Sequence, residues 1–217
     1  MSVTRSVVVV ENESLLRDLI ARNLETAGFE VTTAANVSDA KRACAAFDPD
    51  ACVVDIELGP GPNGFDFADF LTRKHPQVGV VFLTNLPDPR FVNRDDKTVT
   101  EKQAYLRKSQ LVDSGELVRA LDTVLRDGNL QRFRHDKDSD RPLAKLSLRQ
   151  ISVLKMLADG LSNNQIAEIR GTSVRAAEGM ISRIFLALGI DVSLSGNARV
   201  EAAKKYLAAV GAIVLDE

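Results

Sequence analysis

The sequence predicts two domains of different fold class, a doubly wound α/β domain followed by an all-helical domain. In the first part of the chain, short apolar runs of strand length alternate with segments of helical periodicity. That alternation is typical of a parallel sheet with helices on both faces. Later in the chain, apolar residues recur only with helical spacing. We therefore expect an α/β domain over 1–127, a linker over 128–144 and a helical domain over 145–217.

Five apolar segments of strand length predict the sheet of the first domain. They are Ser6–Val10, Phe29–Thr33, Ala51–Asp55, Val78–Leu83 and Ala104–Leu106. Helical periodicity fills the intervals between them. On the first predicted helix, five apolar residues share one face, namely Leu15, Leu16, Leu19, Ile20 and Leu24. The interval 87–103 breaks the pattern because it has two prolines and few periodic apolar residues, which predicts a loop or a frayed turn.

Four segments of helical periodicity make up the second domain. Their apolar stripes begin near Ile151, Ile166, Ala177 and Val200. Two of the helix starts are preceded by a serine with a glutamine three residues later, at Ser147–Gln150 and Ser162–Gln165. In such a capping box the two side chains satisfy backbone donors that the first helical turn leaves without partners. The spacing therefore predicts helices that begin directly after each serine.

Composition limits the classes of protein to which the chain can belong. Its apolar runs are much shorter than the roughly 20 residues of a membrane span, and no signal-peptide core follows Met1. We expect a cytoplasmic protein with no membrane partner. Cys44 and Cys52 lie in apolar segments, which favours buried thiols over a disulfide or a metal site.

The net charge of −2 argues against a protein that coats nucleic acid through bulk charge. The charge is nevertheless unevenly distributed. Residues 1–126 hold 15 basic and 19 acidic residues, a net of −4, whereas 141–217 hold 10 and 7, a net of +3. This modest asymmetry is typical of an acidic sensing half joined to a half that binds DNA.

Polar residues follow several of the predicted strands. Ligands of an open parallel sheet bind beyond the carboxyl ends of its strands. The residues placed there are Glu11, Asn12, Asp55, Thr84 and Lys108. This set suits phosphoryl transfer to a carboxylate: Asp55 would attack phosphorus, and Thr84 and Lys108 would contact phosphoryl oxygens. Acidic and amide oxygens would hold Mg²⁺, which prefers such hard ligands.

The motifs around these residues are V-V-V-V-E-N, V-V-D-I-E-L, F-L-T and Y-L-R-K, in that order. Over about residues 5–126 they resemble the receiver domain of bacterial response regulators. The resemblance implies a flavodoxin-like fold with a five-stranded, doubly wound parallel sheet. It also implies that Asp55 is the phosphoacceptor, that Thr84 and Lys108 are the signalling pair, and that Tyr105 is the aromatic switch residue.

The same resemblance implies a metal site that departs from the family pattern. Glu11 and Asn12 match the acidic-pocket positions, Asp55 is a further ligand, and Glu57 matches the position whose backbone carbonyl reaches Mg²⁺. The family usually has Asp where this chain has Asn12. Losing that carboxylate implies that Mg²⁺ binds weakly or not at all, with Glu57 either compensating for it or mimicking the phosphoryl charge.

Residues 146–190 contain A-D-G-L-S-N-N-Q-I-A and end on A-L-G-I. This stretch resembles the helix-turn-helix of NarL/LuxR-type regulators, in which the second helix enters the major groove. The resemblance and the outward face of that helix give six candidate DNA-binding residues. They are Asn163, Ser173, Arg175, Glu178, Ser182 and Arg183. Glu178 stands where the family usually has Lys, and Gly179 costs a helix about 1 kcal/mol relative to Ala.

Together the two resemblances imply a DNA-binding transcriptional response regulator that is not an enzyme. Its expected partners are double-stranded DNA, a histidine kinase and a second copy of the chain. Two alternatives remain open at this stage. One is an orphan regulator that acts without phosphorylation, and the other is a signalling adaptor whose helical domain binds protein, in which case Arg175, Glu178 and Arg183 would form an ordinary solvated face.

Overall fold

The computed structural model describes residues 4–95, 97–113, 115–191 and 197–212. They form two compact units. The first unit takes the described residues up to 85 together with those from 97 to 135, and the second takes 86–95 and those from 136 onward. Within the described ranges, no helix is both long enough and apolar enough to cross a lipid bilayer.

A parallel sheet of five strands forms the centre of the first unit, in the order β2-β1-β3-β4-β5. The strands are β1 (Ser6–Val10), β2 (Glu30–Ala34), β3 (Ala51–Val54), β4 (Gly79–Thr84) and β5 (Gln103–Arg107). The valine-rich strands β1 and β3 are almost completely buried, as expected for parallel strands covered on both faces. The predicted doubly wound α/β fold is therefore confirmed.

Four helices cover this sheet. They are α1 (Ser14–Thr26), α2 (Val37–Phe47), α3 (Gly64–Lys74) and α4 (Gly115–Leu125). Ile20 and Leu24 of α1 are buried in the core, but Leu15 and Leu19 are 73% and 55% exposed. The prediction of one shared apolar face is thus wrong for these two leucines, because the sheet covers a narrower stripe of α1 than the apolar pattern spans.

The two cysteines lie in the core of the first unit, as predicted. Cys44 is on α2 and Cys52 on β3, and both are free thiols. Their sulfur atoms are 3.8 Å apart.

Among the described residues between β4 and β5, the one helical element is a short 3-10 turn over Pro89–Val92, which confirms the predicted loop. Residues 86–95 belong to the second unit. There Asp88 is fully buried and forms ion pairs with Arg90 and Arg141 at 2.6 and 2.9 Å. The Phe91 ring stacks on Tyr206 with the ring centres 5.7 Å apart.

The predicted linker is shared between the units. Residues 128–135 belong to the first unit, where Leu130 and Phe133 pack in the hydrophobic core. Residues 136–144 belong to the second unit. The domain limits at 127 and 144 stay a prediction.

The regular elements described in the second unit are helices. Its helices are α5 (Leu148–Ala158), α6 (Asn163–Ile169), α7 (Val174–Ala187) and α8 (Ala198–Ala209). Complete capping boxes precede α5 and α6, at Ser147 with Gln150 and at Ser162 with Gln165. Both predicted capping boxes are therefore confirmed.

Candidate functional site

Three charged side chains meet beyond the carboxyl ends of β1, β3 and β5. Lys108 Nζ lies 2.7 Å from Glu11 Oε2 and 2.8 Å from Asp55 Oδ2. These residues are 97 and 53 positions apart from Lys108 in the sequence. They meet because parallel strands place their carboxyl ends at one edge of the sheet. Of the five residues predicted to converge, the structure therefore brings these three into contact.

Burial determines the electrostatics of this cluster. Burial raises the pKa of Glu11, as does the neighbouring Asp55, while the bond from Lys108 opposes both. For Lys108, burial alone would lower the pKa, but Asp55 and Glu11 outweigh it and raise the pKa. The Lys108 ammonium group therefore stays charged between two carboxyl groups that are almost completely buried.

Neighbouring segments fix the backbone of Asp55 and contact its carboxylate. The Asp55 backbone N–H donates to the Val10 carbonyl at 2.8 Å, and Asp55 Oδ1 accepts from the Glu57 backbone N–H at 3.3 Å. The first residue of α3, Gly64, passes so close that a Cβ there would collide with the Asp55 carbonyl oxygen. A glycine is therefore required where the loop after β3 returns to the sheet.

Thr84 and Tyr105 lie on β4 and β5, the two strands that follow β3 in the sheet. Thr84 is fully buried at the end of β4. Tyr105 is fully buried within β5, and its ring centre lies 6.1 Å from that of Phe82. The aromatic ring thus points into the fold in this conformation. Its predicted role as a switch stays a prediction.

The remaining two candidate metal positions, Asn12 and Glu57, are exposed at the rim of the cluster. In the part of the chain that the structure describes, no three His, Cys, Asp or Glu residues are grouped so as to hold a metal. Glu11 and Asp55 do supply two hard oxygen donors around one point, which suits Mg²⁺. The residues present therefore fit a magnesium ion held by two carboxylates. In this structure the Lys108 ammonium group contacts both of these carboxylates.

The second candidate site lies on α6 and α7. Ser162 and Ser173 cap these helices by accepting from Gln165 and Ala176 backbone N–H groups at 3.3 and 3.2 Å. Of the remaining candidates, four side chains are exposed on α7. They are Arg175, Glu178, Ser182 and Arg183. The face predicted for DNA contact is therefore exposed in the chain.

Asn163 is bonded to a side chain from another helix, α8. Its Oδ1 accepts from Arg199 Nη1 at 3.0 Å, and Arg199 also donates to the Leu161 carbonyl. The arginine thus ties α8 to the turn before α6. Sequence reasoning missed Arg199, because a pairing across 36 residues leaves no local pattern.

Gly179 has open space where a side chain would start. A Cβ there would meet only Arg183 Nη1, at 3.7 Å. Packing inside the chain therefore does not require a glycine at this position of α7.

Comparison with known protein families matches both parts of the chain. Residues 7–122 match the response regulator receiver domain, and 144–190 match the LuxR family of bacterial regulatory proteins. A probable transcriptional regulator, ycf29, of Porphyra purpurea is 28% identical over 186 residues, covering 82% of this chain and 87% of that protein. The oxygen regulatory protein NreC of Staphylococcus aureus (strain JH9) is 25% identical, covering 74% and 79%.

Among solved structures, RcsB from Salmonella enterica serovar Typhimurium is similar across both units. The structure of RcsB bound to the rprA promoter in the presence of a phosphomimetic has a TM-score of 0.58 and 15% identity. The match covers 93% of this chain and 99% of that chain. At this identity the likeness shows the fold alone.

Proposed function

The chain belongs to the response regulators, with a receiver domain followed by a LuxR-family DNA-binding domain, and we propose that phosphorylation of Asp55 controls its binding to DNA. The observation that carries this proposal is the contact of one ammonium group with both Glu11 and Asp55 at 2.7 and 2.8 Å. A carboxylate, a second acid and a cation in contact at a strand end are the parts that phosphoryl transfer to a carboxylate needs.

In the proposed reaction, an Asp55 carboxylate oxygen attacks the phosphorus of a phosphohistidine or a small acyl phosphate. The new bond from oxygen to phosphorus forms as the bond from phosphorus to the donor breaks, and the electron pair leaves with the donor. Lys108 is placed to neutralise the transferred group, because its ammonium already lies 2.8 Å from Asp55. Thr84, buried at the end of β4, supplies a hydroxyl group on the same edge. A histidine kinase is the proposed donor protein.

When bound, Mg²⁺ would neutralise charge on the phosphoryl oxygens. Glu11 and Asp55 are the residues proposed to hold it, with the Glu57 backbone carbonyl as a further ligand. An amide at Asn12 is a weaker ligand than a carboxylate, so we propose that Mg²⁺ binds with lower affinity than in receivers with two acids there. The Lys108 ammonium must release part of its contact with the carboxylates when the ion enters.

We propose that α7 inserts into the major groove of DNA, where Arg175 and Arg183 contact guanine edges or phosphates and Glu178 accepts from cytosine. The open space at Gly179 supports this, because a helix without a side chain there can approach the bases closely. Ser182 and the capped end at Ser173 would contact the same duplex. Asn163 would reach a phosphate only by giving up its bond to Arg199.

We also propose that the chain acts as a dimer in the cytoplasm, with half-sites about one helical turn, roughly 34 Å, apart on the duplex. Its activity is regulation of transcription, with no catalysis beyond its own phosphorylation and dephosphorylation. A solved structure of similar fold supports the proposed dimer, because it is described as two RcsB dimers bound to two parallel DNAs.

Two variants test the DNA-binding half of the proposal. Arg175→Ala and Arg183→Ala are each expected to weaken duplex binding by about 1–3 kcal/mol and to lower its salt dependence. Lys155→Ala, on an exposed position of α5, is the control. Duplex binding that is unchanged in both arginine variants would favour a helical unit that binds protein.

Two observations favour a second candidate, a regulator that acts without phosphorylation. Lys108 already pairs with both carboxylates, and Asn12 removes one acid from the pocket. Beryllofluoride with millimolar Mg²⁺, a phosphoryl mimic, distinguishes the two candidates. NMR shifts at Asp55 and Thr84 are expected if the pocket accepts a phosphoryl group, and a spectrum without changes there would support the second candidate.

A further inference from the structure

Residues 130–135 cover the open edge of the sheet. β5 is the last strand, so the outer side of its backbone needs partners. Tyr105 forms a parallel bridge with Arg134, and the Arg107 backbone N–H donates to His135 Nδ1 at 3.1 Å. A segment that the sequence predicts to be linker therefore pairs with the outer edge of β5 through one bridge and one side-chain acceptor.

Apolar packing and hydrogen bonds both anchor this segment in the first unit. Leu130 and Phe133 are buried in the core of the first unit. The Arg134 guanidinium donates to the carbonyl groups of Val99 and Thr100 at 3.2 and 3.1 Å. The path of the chain beside β5 is therefore fixed by two buried apolar side chains and by the guanidinium of the bridging residue.

His135 is the last residue of the segment, and it lies beside the carboxyl end of β5, which Lys108 follows. The imidazole is 11% exposed, and its Nε2 lies 3.6 Å from Glu116 Oε1 at the start of α4. Nδ1 accepts from Arg107, the residue directly before Lys108. Directly after His135 the chain passes into the second unit. One ring thus connects the lysine end of β5 with the point where the chain leaves the receiver.

We propose that His135 is a positioning residue that fixes the Lys108 end of β5 to the start of the connection to the helical unit. The His135 acceptor satisfies a buried backbone N–H group, so removing it leaves that donor without a partner. Because coupling between two sites is reciprocal, a change at Lys108 alters the ordering of 130–135, and a change at His135 alters the pocket. The role of this His135 contact in signalling rests on the proposed phosphorylation. The contact between His135 and the end of β5 does not.

Amide hydrogen exchange of the full chain, measured by NMR, tests the link without any ligand. In His135→Ala, exchange at Arg107 and over 130–135 is expected to rise about fivefold or more, the loss of one net hydrogen bond. In His135→Asn, the amide oxygen can accept from Arg107, so exchange is expected to remain near the wild-type rate. His75→Asn, at the end of α3, is the matched control.

The reverse effect is tested by Lys108→Met. Its expected result is faster exchange over 130–135 relative to β2, which lies at the opposite edge of the sheet and reports general destabilisation. The inference is overturned if the Arg107 amide exchanges equally in wild type and His135→Ala, if Asn fails to restore it, or if Lys108→Met changes 130–135 no more than β2.

Beryllofluoride with Mg²⁺ then separates this inference from the proposed function. In wild type and His135→Asn, binding at the pocket is expected to change exchange over 130–135. In His135→Ala the same addition is expected to leave that segment unchanged, and a response equal to wild type would overturn the inference. A wild-type pocket that takes no beryllofluoride contradicts phosphorylation at Asp55, while the exchange measurements without ligand still decide the role of His135.

Discussion

Replacing Lys108 with Met keeps the bulk of the side chain and removes its charge, and we expect this to destabilise the first unit. Lys108 contacts Glu11 and Asp55, whose side chains are only 2% and 7% exposed. Removing one partner of a buried ion pair costs about 3–5 kcal/mol, because the remaining charge is left uncompensated. The Lys108 side chain keeps 13% exposure, so we expect a loss near the lower end, about 3 kcal/mol.

The loss depends on pH in a direction set by Glu11. Burial raises the pKa of Glu11 and Lys108 lowers it, so the variant has a still higher Glu11 pKa. A carboxyl group whose pKa is raised by folding stabilises the protein below its unfolded pKa, and this contribution is lost as pH rises through the folded pKa. The stability deficit of Lys108→Met is therefore expected to be larger near pH 8 than near pH 5.

Urea denaturation followed by far-UV circular dichroism at about pH 5 and about pH 8 measures this deficit. Lys102→Met is the control, because Lys102 is an exposed lysine directly before β5 and its loss is expected to change stability by less than about 0.5 kcal/mol. A Lys108→Met variant as stable as the control near pH 8 would refute the reasoning. An equal deficit at both pH values would refute its electrostatic part.

Three further substitutions test other parts of the account. Asn12→Asp adds a carboxylate to the pocket and is expected to tighten Mg²⁺ binding in calorimetric titration; unchanged affinity would place position 12 outside the metal site. Ser162→Ala removes a capping box and is expected to lower the stability of the helical unit by about 1 kcal/mol, an estimate that equal urea midpoints would contradict. Asp88→Ala leaves the buried Arg90 and the partly buried Arg141 without this carboxylate and is expected to cost about 3–5 kcal/mol. The check is faster amide exchange in α5, and protection equal to wild type would count against a stabilising role for Asp88.

The pocket could be predicted from the sequence because strand ends are local features with a fixed geometric consequence. Once apolar runs locate β1, β3 and β5, parallel pairing alone brings Glu11, Asp55 and Lys108 to one edge. The capping boxes at Ser147 and Ser162 are likewise contained within four residues each. Such features require no knowledge of what the chain does elsewhere.

Contacts between distant segments could not be predicted in this way. Nothing local indicates that Asp88 pairs with Arg141, 53 residues away, or that His135 accepts from Arg107. Charged residues without periodicity suggest a solvated linker, yet their pairing within the fold allows them to be buried. The exposure of Leu15 on α1 could not be predicted either. An apolar pattern is local, but it does not reveal how wide a stripe of the helix the sheet covers.

The central claim is that the state of Asp55 controls DNA binding, and fluorescence anisotropy of a labelled duplex tests it most directly. The duplex would be chosen from genomic fragments that the full chain retains. With beryllofluoride and Mg²⁺, we expect wild type to bind this duplex about tenfold more tightly, within the usual range of coupling between two sites, and Asp55→Asn to show no change. Equal affinity of wild type with and without the phosphoryl mimic would contradict the account.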